Sequence, residues 1–333
     1  MLREAFPGSY DKNEEPEGKA IYATEAGPIE VQWKKFEASK EEEEGQLQEK
    51  KKLTQAVLFL PGWAMTAESK SIQPLGQSFA DYADAPSYTI STRAEEHDGE
   101  DIIYREAEAI RQFIEEKGLS DIVISGHSQG GDKAIDLVNL LQEKNPNIKI
   151  RGLVLMDSVG LHEQRESDLI ANFTKDSTIN TPISVTKKIF GTGKNFKGEK
   201  SFLSRSLTAG ADVVFGIIRE MGKSGAGYPK RFLNEVANMS KFNSRIENVG
   251  VPVVLVHGEE DLISDHNKVA PVEKSSDREK FLKENLFKKS PYVKMVVAEK
   301  AGHHGLPLFR SESVARASLY MLERFYRKEK AEQ

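Results

Sequence analysis

The sequence predicts an α/β fold: a mostly parallel central sheet covered by helices on both faces, with a helical cap inserted after the strand that ends near Asp157. Three observations predict it. Short apolar runs at 56–60, 121–125, 148–156 and 251–256 read as strands buried on both faces. Amphipathic stretches separate them, as at 100–117, where Ile103, Ala107, Ile110 and Ile114 recur at steps of four, three and four. From 160 to about 247 this alternation stops, and helix-like stretches with Gly, Lys and Thr-rich links take its place before the pattern resumes.

Residues 1–18 are polar and charged and are expected to form a loose arm ahead of a core spanning 19–159 and 248–333. Two β-like segments follow at 20–24 and 29–36, with Gly27-Pro28 expected as the turn. The acid-then-base block at 40–52 reads as a solvated loop or hairpin tip. The run 56–60 is a buried strand ending in Pro61-Gly62-Trp63; 70–83 reads as a helix and 87–92 as a strand. The 100–117 helix stops at Gly118. Strand 121–125 leads into a turn and a helix expected from Asp132 to about Lys144, then strand 148–156. In the expected cap, 160–247, the clearest helices are 201–222 and 229–240. Strand 251–256, a mostly helical 265–287, strand 292–298 and a closing helix 311–328 complete the chain, with Val314, Ala317, Met321 and Phe325 inward.

Composition narrows the function. The 333 residues suit one large domain, or one domain with an insertion. A content of 38% hydrophobic and 30% charged residues suits a globular core, and a net charge of −5 gives no indication of a nucleic-acid partner. The absence of cysteine rules out disulfides, thiol catalysis and cysteine-bound metals. Residues 1–16 lack the apolar centre of a secretory signal, and no run approaches the roughly 18 apolar residues of a membrane helix. A cytoplasmic protein is expected. The stretch 160–247 holds 14 Lys/Arg against 9 Asp/Glu, read as a solvated helical face.

The most informative stretch is Gly126-His127-Ser128-Gln129-Gly130. A strand before it and a helix after it are the context that gives G-x-S-x-G its meaning: a sharp corner that lifts the serine hydroxyl clear of the sheet. A serine hydroxyl needs a base, and the base needs an orienting acid. Ala301-Gly302-His303-His304-Gly305 follows the last strand, and His303 is the expected base, with His304 as the alternative. The acid is expected at Asp261, after the turn in His257-Gly258-Glu259-Glu260-Asp261. Glu260 and Asp265 lie nearby, and Asp157, at the end of the preceding strand, is the main rival. Backbone donors for a developing oxyanion are expected from Gln129 N–H, at a helix start, and Trp63 N–H, in the loop after strand 56–60.

Together these residues resemble the α/β-hydrolase fold enzymes of the lidded serine esterase/lipase type. The match rests on Leu60-Pro61-Gly62-Trp63, the elbow at 126–131, the acid turn at 257–261 and Ala301-Gly302-His303, in the family's order Ser, Asp, His, over roughly residues 20–158 and 250–330. Two features depart from it. The oxyanion loop begins Leu-Pro-Gly where many relatives have His-Gly, and Thr92-Arg93-Ala94-Glu95 stands where many have a glycine-rich turn. Serine rather than aspartate at 128 argues against the haloalkane dehalogenase and epoxide hydrolase branches. The resemblance implies a hydrolase of small or medium acyl esters working through an acyl-enzyme on Ser128, with no metal or organic cofactor, a small-molecule ester as partner and no membrane span. Thioester cleavage, acyl transfer and C–C bond hydrolysis by the same three residues are alternatives within the fold. A non-catalytic binding module is the alternative outside it.

Overall fold

The computed structural model describes residues 17–25, 27–39, 53–63, 65–94, 102–175, 236–303, 306–307 and 310–332. Eight strands form one sheet: β1 (Glu17–Thr24), β2 (Gly27–Phe36), β3 (Ala56–Leu60), β4 (Ser87–Ala94), β5 (Asp121–His127), β6 (Lys149–Met156), β7 (Val253–Gly258) and β8 (Val293–Ala298). Their order across the sheet is β1-β2-β4-β3-β5-β6-β7-β8. β1 and β2 pair antiparallel at one edge, β2 pairs antiparallel with β4, and every pairing from β4 to β8 is parallel.

The central strands read as unbroken apolar runs because both faces are covered. Ala56, Leu58 and Leu60 of β3 join one core layer, while Val57 and Phe59 join the other. The same alternation holds in β5 (Ile122 and Ile124 against Val123) and in β7 (Val253 and Leu255 against Val254 and Val256). The first layer is closed by α2 (Ile102–Glu116) and α3 (Gln129–Lys144), through Ile103, Ala107, Ile110 and Ile114 and through Ile135, Val138 and Leu141. Phe113 anchors it, 5.2 Å from the Trp33 ring and 6.0 Å from Tyr88. The second layer is closed by α1 (Gln73–Ala83) and the long C-terminal helix, through Leu75, Phe79, Val314, Ala315, Leu319 and Leu322.

Several boundaries shift. β1 already includes Glu17 and Gly18, expected in the arm, because their backbones pair with Lys34 and Trp33. Gly27 and Pro28 belong to β2, and the chain reverses earlier, at Glu25. α3 begins at Gln129, not Asp132, directly after Ser128; three polar or glycine residues hide that first turn from any propensity reading. The expected long helix at 265–287 is broken into α5 (His266–Val269), a 3-10 turn (Ser275–Asp277) and α6 (Arg278–Asn285). The C-terminal helix, α7, covers Ser311–Glu332.

The sheet is left at Asp157 and re-entered at Val253. In between, α4 (Glu166–Lys175), helical residues 236–240 and a 3-10 turn (Ser244–Asn248) are described. The expected helix 201–222, the first part of 229–240 and the block 40–52 lie outside the described residues. Among the described residues, no helix is long and apolar enough to cross a membrane.

Candidate active site

The corner between β5 and α3 is built by exclusion of side chains. A Cβ at Gly126 would run into the Gly130 carbonyl, and one at Gly130 into the Leu60 carbonyl. Strand, helix and the loop after β3 therefore meet at a distance that only glycine permits. Ser128 sits between them at φ 55° and ψ −123°. A non-glycine residue held there is strained, and strain of this kind persists where the surroundings over-determine it. Here Ser128 N–H is pinned to Met156 O (3.0 Å), and its own carbonyl accepts Gly131 N–H (3.0 Å).

Ser128 Oγ lies 2.9 Å from His303 Nε2, and His303 Nδ1 lies 3.0 Å from Asp261 Oδ2. All three are buried, Ser128 being 7% exposed and His303 0%. With the Asp261 carboxylate accepting Nδ1–H, the neutral ring presents Nε2 as an acceptor for the serine O–H. Asp261 is itself fixed: its Oδ1 accepts Ile263 N–H (2.7 Å) and Ser264 N–H (3.1 Å). Burial pushes its carboxyl up. The charge and N–H of His303, with Ile263 N–H, more than offset that and hold it well below the usual carboxylate range.

Both expected acids thus stand behind the imidazole, and Asp261 is the one on Nδ1. Asp157 accepts Gly258 N–H through Oδ1 (2.7 Å), at φ 43°. His304 lies outside the described residues. Trp63 follows the tight packing of Gly62, where a Cβ would sit 3.0 Å from Ser128 Cβ. Gln129 is the first residue of α3, so its N–H is among those a helix leaves without an intrahelical acceptor, at the end where positive partial charge gathers.

Sequence reading gave His127 no role of its own. Its Nε2–H donates to the His303 carbonyl at 2.9 Å, and the two rings are 5.0 Å apart. Burial and then the charge of His303 lower its pKa to about 3, so it is a neutral strut under the base loop. The contact joins residues 176 apart, a separation that no local pattern reveals. Asn172 of α4 was also missed; its amide donates to Leu262 O (2.8 Å) and ties that helix to the acid turn. His127, Asp157 and His303 are the one group among the described residues whose potential metal-ligating atoms gather, within 4.8 Å. Both nitrogens of His303 are already engaged by Ser128 and Asp261, so a metal bound through this ring would have to displace one of them.

Above Ser128 lies a pocket enclosing roughly 480 Å³ of empty space, part of it continuous with solvent. Trp63, Met65, Val159, Leu169, Phe173 and Met239 give it apolar walls. Trp63 and Phe173 meet edge to face at 5.5 Å.

This strand order, with a strained serine at the β5–α3 corner and histidine and acid on the loops after β8 and β7, is that of the α/β-hydrolase fold, and the chain has that fold. It is similar to a thermophilic esterase from Thermogutta terrifontis (TM-score 0.55, 13% identity, covering 94% of this chain and 98% of the other). It is likewise similar to a bromoperoxidase from Bacillus anthracis (TM-score 0.55, 13% identity, 92% and 100%). A third such structure is a serine hydrolase from Cycloclasticus zankles (TM-score 0.54, 13% identity, 92% and 98%). No family model and no curated protein matches the sequence.

Proposed function

We propose that the protein is a serine hydrolase that cleaves carboxylic esters of small or medium acyl groups through an acyl-enzyme on Ser128. The observation that carries this reading is the continuous hydrogen-bonded path Ser128–His303–Asp261 at the foot of an apolar pocket. Ser128 Oγ attacks the ester carbonyl while His303 Nε2 takes its proton. The negative charge that develops on the carbonyl oxygen is met by Trp63 and Gln129 N–H groups. The tetrahedral adduct collapses, His303 returns the proton to the departing alcohol, and Ser128 keeps the acyl group. Water, deprotonated by His303, then attacks the acyl-enzyme; the acid leaves and Ser128 Oγ regains its proton. Asp261 holds the ring in the productive tautomer and balances its charge when it is protonated.

An apolar acyl chain fits the pocket, because its lining offers few polar groups besides His127 and Ser128. The stretch 160–247 acts as a lid: α4 contributes Leu169, Ile170 and Phe173 to the pocket, and the helical residues before the return contribute Val236 and Met239.

The test is covalent labelling by a fluorophosphonate together with burst kinetics on p-nitrophenyl esters of graded acyl length. Wild type is expected to label and burst, and Ser128→Ala to do neither. Equal labelling of the two proteins would overturn the assignment. Product analysis with thioesters and added acyl acceptors separates ester hydrolysis from other acyl chemistry of the same residues.

A further inference from the structure

The hydrogen bonds behind His303 do not end at Asp261. Asp261 Oδ1 accepts Ile263 N–H at 2.7 Å, and that N–H belongs to the same peptide unit as the Leu262 carbonyl. The carbonyl in turn accepts the side-chain amide of Asn172, in α4, at 2.8 Å. A trans peptide holds its C=O and N–H on opposite sides of one rigid plane, so this plane has α4 on one side and the acid on the other. The hydrogen-bonded path is then continuous, from Asn172 Nδ2–H through the Leu262–Ile263 peptide, Asp261 and His303 to Ser128 Oγ.

The sequence of α4 sets this contact apart. Leu169, Asn172 and Phe173 stand at i, i+3 and i+4, so they share one helix face. Leu169 and Phe173 on that face line the pocket, and Phe173 meets Trp63, in the loop after β3, edge to face. Asn172 is the polar residue in this apolar stripe, and a polar group on a core-facing stripe needs a partner. A carbonyl oxygen accepts only from the amide nitrogen, so the direction of the bond is fixed. The other donor to Asp261 Oδ1 is Ser264 N–H (3.1 Å), and Ser264 is tied to the end of β6, its Oγ donating to Ser158 O (2.6 Å). Of the two N–H groups on Oδ1, the closer one is thus set from the inserted stretch and the other from the sheet.

We propose that Asn172 is a positioning residue for the acid of this site: by holding the Leu262–Ile263 peptide plane, it aims and polarises the N–H that fixes the Asp261 carboxylate against His303. Its effect on turnover rests on the hydrolase reading of Ser128; the hydrogen-bonded path does not. A bond accepted at the carbonyl strengthens the donor at the other end of the same peptide. Without it the plane is free to rock, and one of the two donors that hold Oδ1 weakens. The lid helix is thereby joined to the chemistry as well as to the acyl pocket: with α4 seated on the acid turn, the proton path behind Ser128 is complete.

Asn172→Leu keeps the bulk of the side chain and removes the donor, and Asn172→Ala removes both. Leucine and alanine favour a helix more than asparagine does, so neither change weakens α4 through propensity. The first measurement needs no turnover. With isoleucine amides isotope-labelled for NMR, and Ile263 assigned by the peak lost in Ile263→Val, the Ile263 amide proton is expected to move upfield in both variants. It is expected to exchange with solvent at least about fivefold faster, while Ile124 in β5 is unaltered, and to do so in a Ser128→Ala background as well. An unchanged Ile263 amide overturns the proposal, whatever the labelling of Ser128 shows. Kinetics test the positioning. Both variants are expected to lose about three- to tenfold in kcat, by the same factor on acetyl and hexanoyl p-nitrophenyl esters, with KM within about twofold of wild type. In an Asp261→Ala background the same substitutions are expected to slow fluorophosphonate labelling by less than about 1.5-fold, because the group through which Asn172 acts is gone. A loss confined to KM, a loss that grows with acyl length, or a full loss retained in Asp261→Ala would make Asn172 an anchor of the lid alone and would overturn the proposal.

Discussion

Two pairs of buried carboxyl groups flank the first turns after Ser128, and the protein treats them differently. Asp157 and Asp261 lie at strand ends beside His303, and Asp261 is held low by an imidazole and backbone N–H groups. Asp132 and Asp136 lie one turn apart on α3, 5% and 1% exposed. Their donors come from the segment that returns to the core: Asn243 Nδ2 donates to Asp132 Oδ1 (2.6 Å) and Asp136 Oδ1 (3.1 Å), and Arg245 Nη1 pairs with Asp136 Oδ2 (2.7 Å). Burial, and then the charge of Asp136, push Asp132 up to about 7 despite Asn243, Arg245 and Lys133. The lesson concerns donors. Loop N–H groups fixed by the fold preorganise an anion, whereas side-chain donors on a returning segment leave a pair that clasps that segment and binds a proton readily.

Breaking the first pair is expected to remove activity and spare the fold. In Asp261→Asn the amide no longer serves as a carboxylate for Nδ1–H, and the ring loses its productive tautomer; kcat/KM is expected to fall by about 10³- to 10⁴-fold. Thermal unfolding should stay within a few degrees of wild type, because two backbone donors keep an amide oxygen to bond. A fall in activity that tracks a fall in melting temperature would make Asp261 a structural residue. Breaking the second pair should do the reverse. Asn243→Ala strips the shared donor from two buried acids and is expected to lower unfolding free energy by about 3 kcal/mol, read as a lower urea midpoint at unchanged slope. Hydrolysis per folded molecule should change less than threefold. A larger kinetic loss would show that the clasp reaches Ser128, four residues from Asp132.

The contrast also separates what the sequence discloses from what it hides. Strands β3 and β5 to β7 are legible because both faces are buried, so the apolar run is continuous and its length alone excludes a long helix. Ser128 is legible because its corner excludes side chains on both sides, a constraint written as two glycines. His303 and Asp261 follow from loop position after a strand. Hidden are contacts whose partners are remote along the chain. His127 reaches His303 O, Asn172 reaches Leu262 O and Asn243 reaches α3, and none of these contacts leaves a periodic trace. Asp157 was legible as an acid near the site but not as the acceptor of Gly258 N–H, because that contact joins the ends of neighbouring strands 101 residues apart. The break of 265–287 into three pieces falls at Pro271, which cannot continue a helix, although the charged residues on either side suit one locally.

The smallest expected effect is the pH dependence of the clasp, and it has a definite sign. Asp132 has a folded pKa of about 7 against an ordinary 3.8, so the folded chain binds more protons than the unfolded chain between those values. The stabilisation is complete below about pH 4 and is lost as pH rises through about 7. His127 and His257, lowered from 6.5 to about 3 and about 4, act in the opposite direction, because the folded chain there binds fewer protons. The wild-type curve mixes both, so the informative quantity is the difference between Asp132→Asn and wild type, in which the histidines cancel. Unfolding free energy of Asp132→Asn minus that of wild type is expected to be flat below about pH 4, to climb by on the order of 1–3 kcal/mol towards pH 7 and to level off above it. Urea titrations at half-unit steps of pH would measure it. A flat difference would mean that Asn243 and Arg245 satisfy an ionised Asp132 as fully as the loop N–H groups satisfy Asp261, and the contrast between the two pairs would disappear.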